Sequence, residues 1–177
     1  MSEKSYKLRA REVADDTKYP KNDEHYTPKI VFDRTIGHAD YDPATTEDKA
    51  KEFGINIFDT IETDGLTTDW AVFNRIWINP PFTLKKEFVR KAIKTVNENE
   101  ECSIFVLLPI ESLTTNWFYD VTVGYDLFIP RGRIKFEDPR NPKAKSPTFG
   151  SVIVKFSNYA RNEIINFNMQ YCEKDGL

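Results

Sequence analysis

The chain has 177 residues, of which 40% are hydrophobic, 30% charged and 14% aromatic. These values fit one folded domain and exclude a disordered, collagen-like or disulfide-stapled protein. Cys102 and Cys172 are the only cysteines and no apolar signal peptide opens the chain, so we expect a cytoplasmic location. The longest apolar run, residues 104–110, has the length of a strand, so no membrane partner is expected.

The net charge of -3 is unevenly distributed along the chain. Residues 1–70 carry 10 Lys and Arg against 16 Asp and Glu, whereas residues 71–155 carry 13 against 9. The positive excess lies mainly in two short segments, residues 85–94 and 131–145. Such segments attract a polyanion such as nucleic acid, although most runs of Lys and Arg are simply solvated surface.

The first half of the chain predicts a polar arm followed by short helices and strands. Residues 1–24 are polar and are expected to form a loose N-terminal arm, ahead of a single domain over residues 25–177. Thr27 is predicted to cap a first helix that Gly37 ends, and Thr45 to cap a second that ends at Gly54. The strands predicted in this half cover residues 38–41 and 55–58.

The second half contains the stronger periodic signals. A strand over residues 73–78 stops at a double proline, and a helix from Thr83 follows, with apolar side chains at four-residue spacing on one face. Residues 102–108 form a continuous apolar run that predicts a strand buried on both sides. After a short helix at 114–120, the remaining predicted strands cover residues 125–129, 133–136, 151–156 and 163–169.

The alternation of strands and helices predicts the fold class. It favours an α/β protein with a mostly parallel, twisted open sheet, completed by an antiparallel hairpin at the C-terminal end. In such a sheet the ligand site lies at the carboxyl ends of the strands. The turns that follow the predicted strands are therefore the first places to search for chemistry.

The most informative of these turns has the sequence Asn79-Pro80-Pro81-Phe82 (the NPPF turn). A nucleobase amino group is a poor nucleophile, because its lone pair is delocalised into the ring. Two hydrogen-bond acceptors aimed at its protons favour attack on a methyl sulfonium, and the side-chain oxygen of Asn79 and the carbonyl of Pro80 can supply them. Phe82 can stack on a base that is flipped out of the duplex. The alternative interpretation is structural: a strand that ends at a proline-rich turn with a core phenylalanine.

The order of the sequence blocks resembles the phage-type DNA N6-adenine methyltransferases, a family of short, Dam-like enzymes. The resemblance covers about residues 25–156 and rests on an ordered set of motifs, which is much more specific than any single member. These motifs are His25-Tyr26-Thr27-Pro28, Asp40-Tyr41-Asp42-Pro43-Ala44, Asp64-Gly65-Leu66 with Trp70, Trp77-Ile78 before the NPPF turn, Leu108-Pro109, Trp117-Phe118 and Gly132-Arg133-Ile134-Lys135-Phe136.

The resemblance implies a Rossmann-like methyltransferase fold that depends on S-adenosylmethionine. The cofactor-binding residues that it implies are Tyr26, Thr27, Pro28, Asp42, Pro43, Ala44 and Asp64. Asp42 could receive the methionine ammonium of the cofactor and Asp64 the amino group of its adenine, although each acid could equally be a turn residue. The usual Gly-x-Gly cofactor loop is absent from the sequence, so the Asp42-Pro43-Ala44 turn (the DPA loop) has to serve with a less permissive backbone.

The resemblance also implies N6-adenine methylation of DNA, with double-stranded DNA as the partner, and a location in the host cytoplasm if the gene is phage-borne. Within such an enzyme the cations of the two positive segments become candidate DNA-binding residues, with a solvated surface as the alternative; they are Lys85, Lys86, Arg131, Arg133, Lys135, Arg140, Lys143 and Lys145. No metal site is expected, because His25 and His38 are the only histidines and no Cys/His spacing supports one.

Two alternatives stay open at this point. The NPPF turn suits any planar amino group, so cytosine N4, RNA adenine and a protein glutamine side chain are alternative acceptors. The chain could also be a non-catalytic DNA-binding module of the same fold that has lost methyl transfer.

Overall fold

The structure is a computed structural model and describes residues 26–137 and 149–170; the predicted arm, residues 1–24, lies outside these ranges. The helices are α1 (Lys29–Thr35), α2 (Glu47–Phe53), α3 (Lys85–Glu98) and α4 (Asn116–Tyr119). The strands are β1 (Tyr41–Asp42), β2 (Ile57–Phe58), β3 (Arg75–Ile78), β4 (Ser103–Pro109), β5 (Tyr125–Pro130), β6 (Ser151–Phe156) and β7 (Ile164–Phe167). Short 3₁₀ turns lie at Trp70–Val72, Phe82–Leu84 and Ile110–Thr114. No helix within the described ranges is long and apolar enough to cross a membrane.

The strands that the structure describes form one seven-stranded sheet in the order β2-β1-β3-β4-β6-β5-β7. Neighbouring strands are parallel except at β6, which runs antiparallel to both β4 and β5. The predicted α/β class is therefore confirmed, with a mostly parallel sheet and an antiparallel part towards the C-terminus. The β5–β6 pair is not a tight hairpin, because residues 131–150 separate its two strands.

Two apolar clusters pack on opposite faces of the sheet. β4 contributes to both by alternation, with Ile104, Val106 and Leu108 in the first cluster and Phe105 and Leu107 in the second. Helix α3 packs in the first cluster, and helices α1 and α2 pack in the second. A strand between two helical layers is apolar on both faces, so the predicted burial of this run on both sides is confirmed.

The strand predicted over residues 133–136 is wrong. These residues form no strand; Ile134 is buried in the second cluster, and Glu137 pairs with Tyr26 in an isolated antiparallel bridge. The reason lies in the sheet, where β6 is paired on both sides by β4 and β5, and the other side of β5 is taken by β7. The antiparallel region therefore has no free edge beside β5 or β6 for a further strand.

The two predicted helix caps are each displaced by one residue. Thr27 does not cap α1, because Pro28 occupies the N-cap position in an extended conformation and no side chain caps the helix. Thr46, rather than Thr45, caps α2 by accepting a backbone N–H of the first turn. Gly54 ends α2 as predicted, in the left-handed conformation (φ 72°) that favours glycine.

The strand order creates a topological switch point between β1 and β3. β2 lies on one side of β1, and the chain then crosses to place β3 on the other side. Open α/β sheets bind ligands in the crevice outside the carboxyl ends of strands at such a point. Asp42 ends β1 and Asn79 directly follows β3, so the DPA loop and the NPPF turn both open at this edge.

Candidate functional site

The DPA loop leads from β1 towards α2 and carries a buried acid. Asp42 is 2% exposed, and its carboxylate accepts a hydrogen bond from the backbone N–H of Ala44 at 3.0 Å. Burial raises the pKa of Asp42 to about 7, although hydrogen bonds from Ala44 and Thr45 act in the opposite direction. A buried carboxylate at the switch point is suited to a cationic ligand, because the ligand's charge compensates for the water that the carboxylate has lost.

Residues 64–70 lie directly against the DPA loop. A Cβ atom added to Gly65 would lie 2.0 Å from the carbonyl oxygen of Pro43, so only glycine fits this contact. The indole N–H of Trp70 donates to the carbonyl of Gly65 at 2.8 Å and fixes the segment from the other side. Asp64, which is buried and in the left-handed conformation (φ 61°), is thereby held next to the DPA loop.

A hydrogen bond from Lys49 connects residues 26–28 to the region of the DPA loop. This lysine stands in the first turn of α2, just beyond the DPA loop, and its Nζ donates to the carbonyl of Thr27 at 3.2 Å. Thr27 is buried, and its hydroxyl oxygen has no hydrogen-bond partner among the residues that the structure describes. A buried hydroxyl with unused hydrogen-bonding capacity suits a polar ligand group. The structure thus brings together the three motifs for which a cofactor role was predicted.

Asp59 is a candidate that the sequence analysis missed. It directly follows β2, and its carboxylate accepts hydrogen bonds from the hydroxyls of Tyr41 and Thr68, the latter at 2.7 Å. Burial acts to raise the pKa of Asp59, but hydrogen bonds from Tyr41, Thr68 and Thr63 outweigh it and hold the pKa below its usual range. The signal in the sequence was an acid directly after a predicted strand, the place where Rossmann-like units bind ribose hydroxyls.

The NPPF turn leads from β3 into a 3₁₀ turn and then into α3. Asn79, Pro80 and Phe82 line a pocket together with Phe149 and Ser151, at the start of β6. The rings of Phe82 and Phe149 meet edge to face, with centroids 5.1 Å apart and planes at 86°. Asn79, Pro80 and the aromatic residues Phe82 and Phe149 therefore line one pocket.

Pro81 shapes the turn, whereas Phe149 is a pocket residue that sequence reasoning missed. Pro81 occupies the N-cap of the 3₁₀ turn (φ -54°, ψ 137°), and its carbonyl accepts the N–H of Leu84 at 3.0 Å. Phe149 could have been suspected only from its place between the basic segment and a predicted strand, because no local pattern connects it with residue 82. Phe136 also lines the pocket, so the pocket receives one aromatic residue from each side of residues 138–148.

The predicted DNA-binding residues fall into three groups. Lys85 and Lys86 begin α3, and their Nζ atoms lie 6.0 Å from the ring centroid of Phe82 and 5.9 Å from that of Trp117, respectively. The cations exposed in the segment that leaves β5 are Arg131, Arg133 and Lys135. The predicted DNA-binding residues that lie outside the described residues are Arg140, Lys143 and Lys145.

Within residues 26–137 and 149–170, no group of three or more His, Cys, Asp or Glu side chains could hold a metal ion. Of the three acids discussed above, Asp42 ends β1, and Asp59 and Asp64 both lie in the connection that follows β2.

Comparison with known proteins places these motifs in a family. The family model for DNA N-6-adenine-methyltransferase (Dam) matches residues 14–176. A DNA N-6-adenine-methyltransferase of Escherichia phage T1 is 33% identical over 95 residues, which cover 52% of this chain but only 37% of that relative. A crystal structure of a predicted O-methyltransferase from Agrobacterium tumefaciens aligns at 12% identity with a TM-score of 0.38, over 77% of this chain and 69% of that one. Because the family match spans almost the whole sequence, including the DPA loop and the NPPF turn, the chain belongs to the DNA N-6-adenine-methyltransferase (Dam) family.

Proposed function

We propose that the protein transfers the methyl group of S-adenosylmethionine to the N6 amino group of adenine in DNA. The observation that carries the proposal is the position of the NPPF turn. Asn79 and Pro80 line an aromatic-lined pocket at the carboxyl end of β3, and the neighbouring strand β1 ends at the buried Asp42. Membership of the Dam family supports the same reaction.

The residues around the DPA loop fit S-adenosylmethionine by their hydrogen-bonding chemistry. Asp42 offers a buried carboxylate for the methionine ammonium, and Thr27 offers a buried hydroxyl. Asp59 offers an ionised carboxylate for the ribose hydroxyls, and Asp64 offers an acceptor for the adenine amino group. When bound, this cofactor supplies an electrophilic methyl group on a positively charged sulfur. The remaining residues to which we assign cofactor contacts are Tyr26, Pro28, Pro43 and Ala44.

The NPPF turn acts on the target base. Asn79 Oδ1 and the Pro80 carbonyl accept hydrogen bonds from the two N–H groups of the adenine amino group. These hydrogen bonds localise the nitrogen lone pair and stabilise the positive charge that develops on the nitrogen. Pro81 stiffens the turn, and Phe82 stacks on the base after it has left the duplex. The methylated nitrogen then loses a proton to solvent, so the reaction needs no covalent bond between enzyme and substrate.

Basic residues near the pocket bind the phosphates of the duplex. Lys85 and Lys86 begin the helix that follows the NPPF turn, and Phe136, which lies close after Arg131, Arg133 and Lys135, lines the pocket. Phosphate contacts position a duplex without reading its sequence, so this arrangement supplies affinity and orientation for base flipping. The cations of residues 131–145 are Arg131, Arg133, Lys135, Arg140, Lys143 and Lys145.

Transfer of a labelled methyl group from S-adenosylmethionine to unmethylated duplex DNA, followed by digestion to nucleosides and mass detection, tests the proposal. We expect the label in N6-methyldeoxyadenosine and none in RNA or in protein glutamine offered under the same conditions. Label in N4-methyldeoxycytidine, RNA or protein would show that the acceptor is cytosine N4, RNA or protein instead of adenine N6 in DNA. Cofactor binding without transfer to any acceptor would favour a non-catalytic DNA-binding module instead.

Asp42 is expected to make cofactor binding depend on pH. Below its pKa of about 7 the carboxyl keeps its proton, and a neutral acid does not balance the ammonium of the cofactor. The affinity for S-adenosylhomocysteine should therefore rise about tenfold per pH unit below that pKa and level off above it.

The contribution of Asp42 to the free energy of unfolding of the ligand-free protein changes with pH in the opposite direction, because the folded state binds the proton of Asp42 more tightly than the unfolded state. The stabilisation that Asp42 contributes is complete below pH 3.8 and is lost as the pH rises to about 7.

Calorimetric titration with S-adenosylhomocysteine on both sides of pH 7 measures this dependence. Asp42→Asn should weaken binding and remove the change with pH. Asp48→Asn, which alters an exposed acid in the first turn of α2, is the matched control and should retain both properties. An affinity for the wild-type protein that stays constant through this pH range would contradict the role assigned to Asp42.

A further inference from the structure

A buried lysine joins two segments that are far apart in the sequence. Lys49 is 6% exposed, and its Nζ donates to the carbonyl of Thr27 at 3.2 Å, to Glu52 at 2.7 Å and to Glu137 at 2.6 Å. Burial alone would lower the pKa of Lys49, but the carboxylates of Glu137 and Glu52 outweigh burial and raise it, so the ammonium stays charged. Charge-assisted hydrogen bonds of this kind are among the stronger polar contacts in proteins.

The backbones of the same two segments are also paired. Tyr26 and Glu137 exchange two backbone hydrogen bonds, at 3.1 and 2.9 Å. Next to this bridge, Phe136 lines the pocket of the NPPF turn, and Ile134, which is 2% exposed, anchors the segment in the core. A displacement of residues 26–28 is therefore transmitted to Glu137 and its neighbours, and the reverse is equally true.

The two segments serve different ligands in the proposed function. Residues 26–28 belong to the cofactor site, whereas residues 131–137 carry exposed cations and lead into the rest of the basic segment. Lys49 is too deeply buried to reach a phosphate itself. Its three acceptors fix the relative position of the segments and leave ligand binding to their other residues.

We propose that Lys49 is a positioning residue that couples cofactor binding to DNA binding, by holding residues 26–28 and Glu137 as one unit. This inference rests on the proposed function. A filled cofactor site then orders the start of the basic segment for DNA, and bound DNA orders residues 26–28 for the cofactor. Coupling between two sites is reciprocal, so each ligand raises the affinity of the other by the same factor, typically about 5–150-fold.

Fluorescence anisotropy of a labelled, unmethylated duplex, titrated with protein in the presence and absence of saturating S-adenosylhomocysteine, measures the coupling. For the wild-type protein we expect DNA to bind at least about fivefold more tightly when the cofactor product is present. Lys49→Met keeps an unbranched side chain next to Phe53, whose ring centroid lies 5.6 Å from Lys49 Nζ, but removes the ammonium group. This variant should bind each ligand alone and show a coupling factor of about one.

Lys51→Met is the matched control, because it removes a positive charge from the exposed side of the same helix and should retain the wild-type factor. Glu137→Ala removes one acceptor with a half-exposed side chain and decides the question if Lys49→Met does not fold. Independent binding of the two ligands by the wild-type protein would overturn the coupling, and so would a wild-type factor in the folded Lys49 variant or in Glu137→Ala. Failure of the wild-type protein to bind S-adenosylhomocysteine at all would instead reject the proposed function.

Discussion

Asn79→Ala is expected to lower kcat for DNA methylation by about 10²–10³-fold without weakening the binding of S-adenosylhomocysteine. In the proposed function the side-chain oxygen of Asn79 is one of the two acceptors for the target amino group, so its loss should leave the developing positive charge poorly stabilised. A factor of this size is typical when one preorganised hydrogen-bonding group is removed from an active site. We expect cofactor affinity to be retained because the proposed cofactor residues lie in the loops after β1 and β2, whereas Asn79 lines the pocket with Phe82 and Phe149.

Steady-state methylation of duplex DNA and calorimetric titration with S-adenosylhomocysteine measure the two quantities separately. Asn97→Ala, which alters an exposed residue in the last turn of α3, is the control and should keep the wild-type kcat. A joint loss of turnover and cofactor binding would count against the role of the NPPF turn, because Asn79 would then support the cofactor site itself.

Gly65→Ala is expected to damage the proposed cofactor site and the fold together. The added Cβ would lie 2.0 Å from the carbonyl oxygen and 2.7 Å from the carbonyl carbon of Pro43, so backbone atoms have to move apart. Overpacking of this kind usually lowers the free energy of unfolding by about 1–3 kcal/mol. In a chain of this length each kcal/mol corresponds to a fall in Tm of roughly 2–4 °C. Displacement of the DPA loop also moves Asp42 and Asp64 relative to each other, so affinity for S-adenosylhomocysteine should fall as well.

Thermal unfolding, recorded with and without S-adenosylhomocysteine, measures both effects of this substitution. Gly124→Ala provides the control, because a Cβ there meets the Cβ of Ala160 at an ordinary contact distance of 3.4 Å. The control should unfold near the wild-type temperature and keep its stabilisation by the ligand. A Gly65→Ala protein with an unchanged Tm and unchanged ligand stabilisation would show that residues 64–70 do not lie against the DPA loop as described.

The parts of the fold with strong local periodicity were predictable from the sequence. The apolar run of β4 and the one-sided helix α3 carry their burial pattern in consecutive residues, so both were found nearly at their observed bounds. The strand predicted at residues 133–136 failed for a non-local reason, because an alternating pattern does not reveal that both sides of β6 are occupied. Thr46 replaced Thr45 as a cap because adjacent threonines offer the same local signal.

The candidate site shows the same division between local and non-local information. The NPPF turn and the DPA loop are contiguous motifs, and their placement after strands was readable from sequence. The contact of Gly65 with Pro43 and the pairing of Phe149 with Phe82 join residues that are distant in the chain. Only the folded arrangement identifies such partners. The roles of these residues in binding and catalysis remain predictions for the experiments described above.

The central position of β6 has a consequence for synthesis of the chain. β6 is the sixth strand in sequence but lies inside the sheet, where it joins β4 to β5. On the ribosome, β1 to β4 can pair in the order in which they emerge, whereas β5 lacks its main neighbour until residues 151–156 have left the exit tunnel. During that interval the nascent chain exposes unpaired strand edges, which are sites of aggregation. A transcript truncated before residue 151 would therefore yield a chain in which β5 has no connection to the rest of the sheet.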